Sequence, residues 1–158
     1  WYKVPEEIKR LLLLASEHWE DTPLSEHYMR QALAQSQADP DVLVAAYRYF
    51  FYKNNNSMAL KIATQVIELI QTTEQLPEDW GQQISVLETR KEEANIRLYL
   101  NAYAASGLIL ARLGELDRAK QISALITEID DKNEFGASTI LGILTRPPDE
   151  DGDDESDF

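Results

Sequence analysis

The sequence predicts an all-α fold, and three observations lead there. Apolar residues recur at three- and four-residue intervals along most of the 158-residue chain, as one buried helical face requires. Thr22-Pro23 and Asp39-Pro40 each pair an N-capping side chain with proline, which suits the first helical position. No alternating apolar–polar run and no hairpin turn signal competes with that pattern.

The elements follow in order. Ile8, Leu11, Leu12, Ala15 and Trp19 share one face of a first helix. Leu24, Tyr28, Met29, Ala32 and Leu33 stripe a second, entered at Thr22-Pro23. After Asp39-Pro40, Leu43, Ala46, Tyr47 and Phe50 line a third, which stops at Asn54-Asn55-Asn56. Ser57 is placed to cap a fourth, striped by Ala59, Ile62, Ala63, Val66, Ile67 and Ile70. A loop broken by Pro77 comes next, and then a polar stretch, Gln82–Arg97, expected to run on as one long helix. Phe135, Ile140, Leu141 and Leu144 mark a short helix over 134–144 that would cap the end of the body.

Composition narrows the functional classes. Twenty-eight acids against 15 bases give a formal charge of −13, which argues against a nucleic-acid binder needing a basic face. With no cysteine there are no disulfides, thiolate metal sites or thiol nucleophiles. No apolar run approaches the roughly 18 residues of a membrane span, so no membrane role is expected. Leu11–Leu14 is too short and too closely flanked by glutamates for a signal peptide, which leaves the cytoplasm as the default location. A chain opening on Trp1 is expected to be part of a longer polypeptide. Pro147-Pro148 separates a body, 1–146, from a tail, 147–158, whose last ten residues hold seven acids and no base. That composition predicts disorder in isolation, and it takes seven of the −13 charges, leaving −6 on the body.

Pairs of helices recurring with a period near 34 residues mark a helical-hairpin solenoid. Starting at Pro40, the residues Leu43, Tyr47, Phe50, Asn54, Ala59 and Val66 stand in the same register as Tyr103, Gly107, Leu110, Gly114, Ala119 and Ile126 starting at Leu100. On these residues the chain resembles the tetratricopeptide repeat family, with large side chains at positions 4 and 11, small ones at 8, 20 and 27, and glycine at the turn. A weaker repeat begins near Glu6, with Leu13, Ser25 and Ala32 at positions 8, 20 and 27. The resemblance implies three repeats, near 6–39, 40–72 and 100–133, interrupted by an insertion at 73–99. Tyr47 and Asn54 depart from it, replacing a small residue and the turn glycine.

The same resemblance implies a concave groove that binds a partner. Carried over position by position, its lining includes Arg10 and His18 in the first repeat, and Val44, Arg48, Phe51 and Tyr52 in the second. Asn101, Leu108 and Arg112 follow in the third. Helical spacing independently puts Val44, Arg48, Phe51 and Tyr52 on one face, away from Leu43, Tyr47 and Phe50. Residues 47–52 concentrate five aromatic rings beside Arg48, and arginine and aromatic side chains are the usual anchors of protein interfaces. If the groove is basic, an acidic or chain-terminal segment is the natural ligand, and the acidic tail 149–158 is itself such a segment. The chaperone-type carboxylate clamp of the family is unsupported, because Val44, Ala104 and Leu108 stand at its lysine and asparagine positions.

Catalysis has little to stand on. His18 and His27 form no i, i+3 or i, i+4 ligand pair, and neither a phosphate-cradling glycine loop nor a nucleophile elbow is present. The expectation is a non-enzymatic adaptor or assembly factor, without cofactor or metal, that binds another protein. A client-specific or secretion-type chaperone is the alternative within binding proteins. A self-associating structural protein is the rival from another class.

Overall fold

A computed structural model of the chain describes residues 4–36 and 38–129. Those residues form seven α-helices and no strand: α1 (Glu6–Glu17), α2 (Thr22–Ser36), α3 (Pro40–Tyr52), α4 (Asn56–Thr73), α5 (Trp80–Thr89), α6 (Ala94–Arg112) and α7 (Leu116–Thr127). The all-α reading therefore holds. The capping helix expected at 134–144 and the acidic tail lie outside the described residues. The chain divides into two compact units between Leu69 and Ile70, within α4.

In the first unit α1 packs along α2, and α2 touches α3. Glu6 and Glu7 open α1 where the helix dipole favours negative charge, and of the expected stripe Ile8, Leu12 and Ala15 are buried while Leu11 and Trp19 are half-buried. The cap of α2 differs from the sequence reading. Asp21 rather than Thr22 fills that role: its carboxylate accepts from Leu24 N–H (3.3 Å) and its carbonyl from Ser25 N–H (2.8 Å). A charged acceptor at a helix N-terminus also gains from the dipole, which a threonine hydroxyl does not. Asp39 caps α3 as expected, its carboxylate accepting from Asp41 N–H at 2.9 Å with Pro40 following. For α4 the cap is Asn55 rather than Ser57, its side-chain oxygen accepting from Met58 N–H at 3.3 Å.

In the second unit α6 packs along α7. The long helix expected over 82–97 is absent; a ten-residue α5 and a nineteen-residue α6 replace it. A polar cluster sits at the break. Arg90 forks onto both carboxylate oxygens of Glu93 (2.9 and 2.8 Å) and also bonds Glu74, while Glu93 N–H closes a turn onto Arg90 O at 2.9 Å. Asn95 donates to the other oxygen of Glu74 at 2.9 Å, so the α4–α5 loop and the α5–α6 turn share one polar cluster. Gly107 of α6 faces α7, where an added Cβ would lie 3.3 Å from Ser123 Oγ and 3.4 Å from Ile122 Cγ2.

Three helix ends, those of α3, α4 and α6, close alike, and those of α3 and α6 lie 60 residues apart. Asn54 (φ 60°) and Gly114 (φ 85°) are left-handed, and the amides that follow them reach five residues back, Asn55 to Phe50 O (2.8 Å) and Glu115 to Leu110 O (2.9 Å). This is the Schellman closure, which satisfies orphan carbonyls at a helix C-terminus. Phe50 and Leu110 before each turn are buried, as are Ala59 and Ala119, then Val66 and Ile126, after it.

Candidate functional site

The stripe 41, 45, 48, 52 of α3 leaves the core, because Val42, Leu43, Ala46, Tyr47, Tyr49 and Phe50 occupy the remaining faces. Arg48 is exposed, and its guanidinium donates a hydrogen bond to the hydroxyl of Tyr47. Burial pushes the Tyr47 hydroxyl above its ordinary pKa, and the neighbouring Arg48 charge partly opposes that rise. Tyr52, one turn beyond Arg48, is 69 % exposed, and its ring meets the half-buried Phe51 edge to face at 5.4 Å. A cation and an accessible ring pair thus share one end of α3.

The remaining expected groove residues fare differently. Val44 is only 8 % exposed, so its side chain belongs to the core rather than to an accessible face. Arg10 is exposed on α1, whereas His18 is half-buried with its ring 5.7 Å from that of Tyr28. In the second unit Asn101 and Leu108 are half-buried and Arg112 is exposed in the last turn of α6, at the i, i+7, i+11 spacing of one helical face.

Two polar clusters went unnoticed in the sequence because each joins residues distant along the chain. In the first unit the Ser25 hydroxyl donates to Ala15 O (2.6 Å) and accepts from the Tyr49 hydroxyl (2.9 Å). Trp19 packs edge-on against Tyr49 at 5.4 Å. Lys53 covers the Trp19 ring at 3.9 Å, while its ammonium donates to Trp19 O and to Thr22 Oγ1. In the second unit the buried Gln83 donates to Pro77 O (2.6 Å) and accepts from the Tyr99 hydroxyl (2.5 Å). Burial raises the Tyr99 hydroxyl well above its ordinary pKa, with Tyr103 adding to the rise and Gln83 opposing it. Both clusters tie helices together, and neither presents a nucleophile to an open cleft.

Among the described residues no group of three or more histidine, aspartate or glutamate side chains is placed to hold a metal ion. No helix among them is long and apolar enough to cross a membrane.

Comparison with known proteins adds a relative but no activity. No protein-family model matches the chain, and no solved structure matches it. A protein of Azotobacter chroococcum mcd 1, described as an uncharacterized 19.8 kDa protein in the nifW 5′ region, is 30 % identical over 134 residues, covering 77 % of this chain and 75 % of the relative. By that identity and coverage the chain belongs to the same family as this uncharacterized Azotobacter protein.

Proposed function

We propose that the chain is a non-catalytic interaction module, built of tetratricopeptide-like helical pairs, that binds a segment of a partner protein on the face bearing Arg48 and Tyr52. The observation that carries this reading is the exposed Arg48–Tyr52 end of α3, with the Phe51 ring edge to face against that of Tyr52. A tyrosine so exposed holds a large apolar surface in water, and arginine and tyrosine beside each other are the commonest energetic centres of interfaces. The repeat reading draws support from the paired helices α1/α2 and α6/α7 and from the like turns at Asn54 and Gly114. Those turns stand 60 residues apart, as do the repeat starts at Pro40 and Leu100.

An adaptor or assembly factor acting in the cytoplasm fits an acidic chain with such a surface. Nothing in the name of the Azotobacter relative assigns an activity, so it favours no alternative. The test is affinity capture from the native extract, comparing the chain with an Arg48→Glu, Phe51→Ala, Tyr52→Ala variant of equal helicity. A protein held by the first and released by the second supports the reading. A partner held equally by both defeats the assignment of this face. Concentration-dependent mass in light scattering with no captured partner would favour self-association.

A further inference from the structure

We propose that two copies of the chain pair antiparallel through the outward face of α1, with Leu13 and Leu14 at the centre and Arg10 facing Glu17 of the second copy on either side. This surface is separate from the Arg48–Tyr52 stripe of α3, and the inference does not depend on the functional reading above.

Helical spacing defines the face. Ile8, Leu12 and Ala15 of α1 are buried, and residues 10, 13, 14 and 17 stand at the i, i+3, i+4, i+7 spacing of the opposite side. Arg10 and Glu17 are exposed, and Leu14 is half-buried. Leu13 is 59 % exposed, more than any other large aliphatic side chain among the described residues. Neither Arg10 nor Glu17 has an ion pair among those residues.

That order of residues complements itself in one direction only. A two-fold interface brings the same patch of both copies together, so each residue meets the one related to it through the axis. With the axis midway between residues 13 and 14, Leu13 lies opposite Leu14 of the second copy, and Arg10 lies opposite its Glu17 at both ends of the leucine cluster. A parallel pair in register would set arginine against arginine and glutamate against glutamate, which repel. The dimensions suit the antiparallel pair. Residues 10 and 17 stand about 10 Å apart along the helix, and packed helices lie about 8–10 Å from each other, so the two ion pairs flank the leucines without crossing them.

Opposing effects keep the pair weak. Two twelve-residue helices bury less than the roughly 1,200 Å² of a stable complex. A formal charge of −13 on each chain repels the other, and Glu6 and Glu7 on the same face add to that repulsion. The dimer is therefore expected only at high concentration, with its orientation set by the charge order.

Sedimentation equilibrium up to about 1 mM chain, which detects a millimolar dissociation constant, should show monomer and dimer. Arg10→Glu and Glu17→Arg should each weaken the dimer at least about fivefold, since each replaces both crossing pairs with like charges. The double swap should restore it to within a factor of about two, and a mixture of the two single variants should associate more tightly than either alone. The chain has no cysteine, so Leu13→Cys supplies a single thiol. A short bismaleimide should join two such copies, and should join far fewer carrying Gln65→Cys, an exposed position of α4. A chain that stays monomeric, a double swap of equal helicity that fails to restore the dimer, or equal cross-linking at the two positions would overturn the proposal. Partner capture that depends on Arg48 by a chain that stays monomeric defeats this pairing and leaves the interaction reading intact.

Discussion

Removing the Ser25 hydroxyl should cost more than a single hydrogen bond, because it serves two buried groups at once. Trp19 N–H turns to Ser16 O at 3.3 Å instead of continuing the helical ladder onto Ala15, and the Ala15 carbonyl at the end of α1 receives the Ser25 hydroxyl at 2.6 Å. Ser25 is 0 % exposed, so Ser25→Ala leaves both that carbonyl and the Tyr49 hydroxyl unpaired. At about 1–3 kcal/mol for each unsatisfied buried group, the expected loss is about 2–6 kcal/mol. Tyr49→Phe removes a donor while Ser25 keeps its bond to Ala15, and should cost only about 0.5–1.5 kcal/mol. The decisive measurement is the double-mutant cycle by urea unfolding. In the Ser25→Ala background the Tyr49 hydroxyl is already an orphan, so removing it there should be neutral or stabilising. If Tyr49→Phe destabilises equally in both backgrounds, within about 0.3 kcal/mol, the two hydroxyls are not coupled and the network argument fails.

Three further outcomes are expected. At Gly107, alanine gains about 1 kcal/mol of helix propensity but meets Ser123 Oγ at 3.3 Å, so it should be near neutral, whereas Gly107→Leu should lose about 1–3 kcal/mol by overpacking, read from the urea midpoint. At the left-handed turns of Asn54 and Gly114, Gly114→Ala should cost about 1–2 kcal/mol and Asn54→Gly should be neutral or gain a few tenths; thermal unfolding reads both signs. Acid sensitivity should involve the Arg90 cluster. Hydrogen bonds from Asn95 and then Arg90 hold Glu74 below its ordinary value of 4.5, and Arg90 does the same to Glu93. Depressed folded-state values give stability that is complete above pH ~4.5 and lost as pH falls through them, so Arg90→Gln should lose less stability between pH 7 and pH 3 than the natural chain does.

Local signals in the sequence transferred well to the structure where one residue type determines the outcome. Asp39-Pro40 opens α3 as read, and the stripes of α3 and α4 are buried because each follows the helical period, while that of α1 is buried in part. Choices between neighbouring capping residues went the other way at α2 and α4. Thr22 and Ser57 are adequate caps, but Asp21 and Asn55 stand one and two residues earlier, and either choice satisfies the local pattern. The 82–97 stretch misled for a different reason. Its residues favour helix, and at the break Arg90 grips Glu74, a partner sixteen residues back that local propensity does not see. Val44 shows the limit of helical spacing within the candidate site. It lies at i−4 from Arg48, yet it is buried, because spacing assigns a face and only the packed neighbours decide how much of that face stays open.

Asn54 and Gly114 show how one backbone device can rest on different residues. Both hold a left-handed turn, and both are followed by the same five-residue-back bond, so the chain leaves α3 and α6 along matching local paths. Glycine enters that conformation without a Cβ penalty, while asparagine is among the few other residues that adopt it readily. The asparagine therefore preserves the turn that a register based on glycine alone would score as a mismatch. The residues around each turn separate by purpose. Phe50, Ala59 and Val66 in one, and Leu110, Ala119 and Ile126 in the other, are all buried, and both sets keep apolar character and comparable size. Exposed positions keep no such likeness: Arg48 and Tyr52 correspond at the 60-residue offset to Leu108 and Arg112. A shared buried set with divergent outward residues is what a repeated scaffold needs if each repeat is to present a different chemical surface. On the proposed repeat reading, the Arg48–Tyr52 face belongs to one helical pair alone, and substitutions at Leu108 and Arg112 should change a different contact.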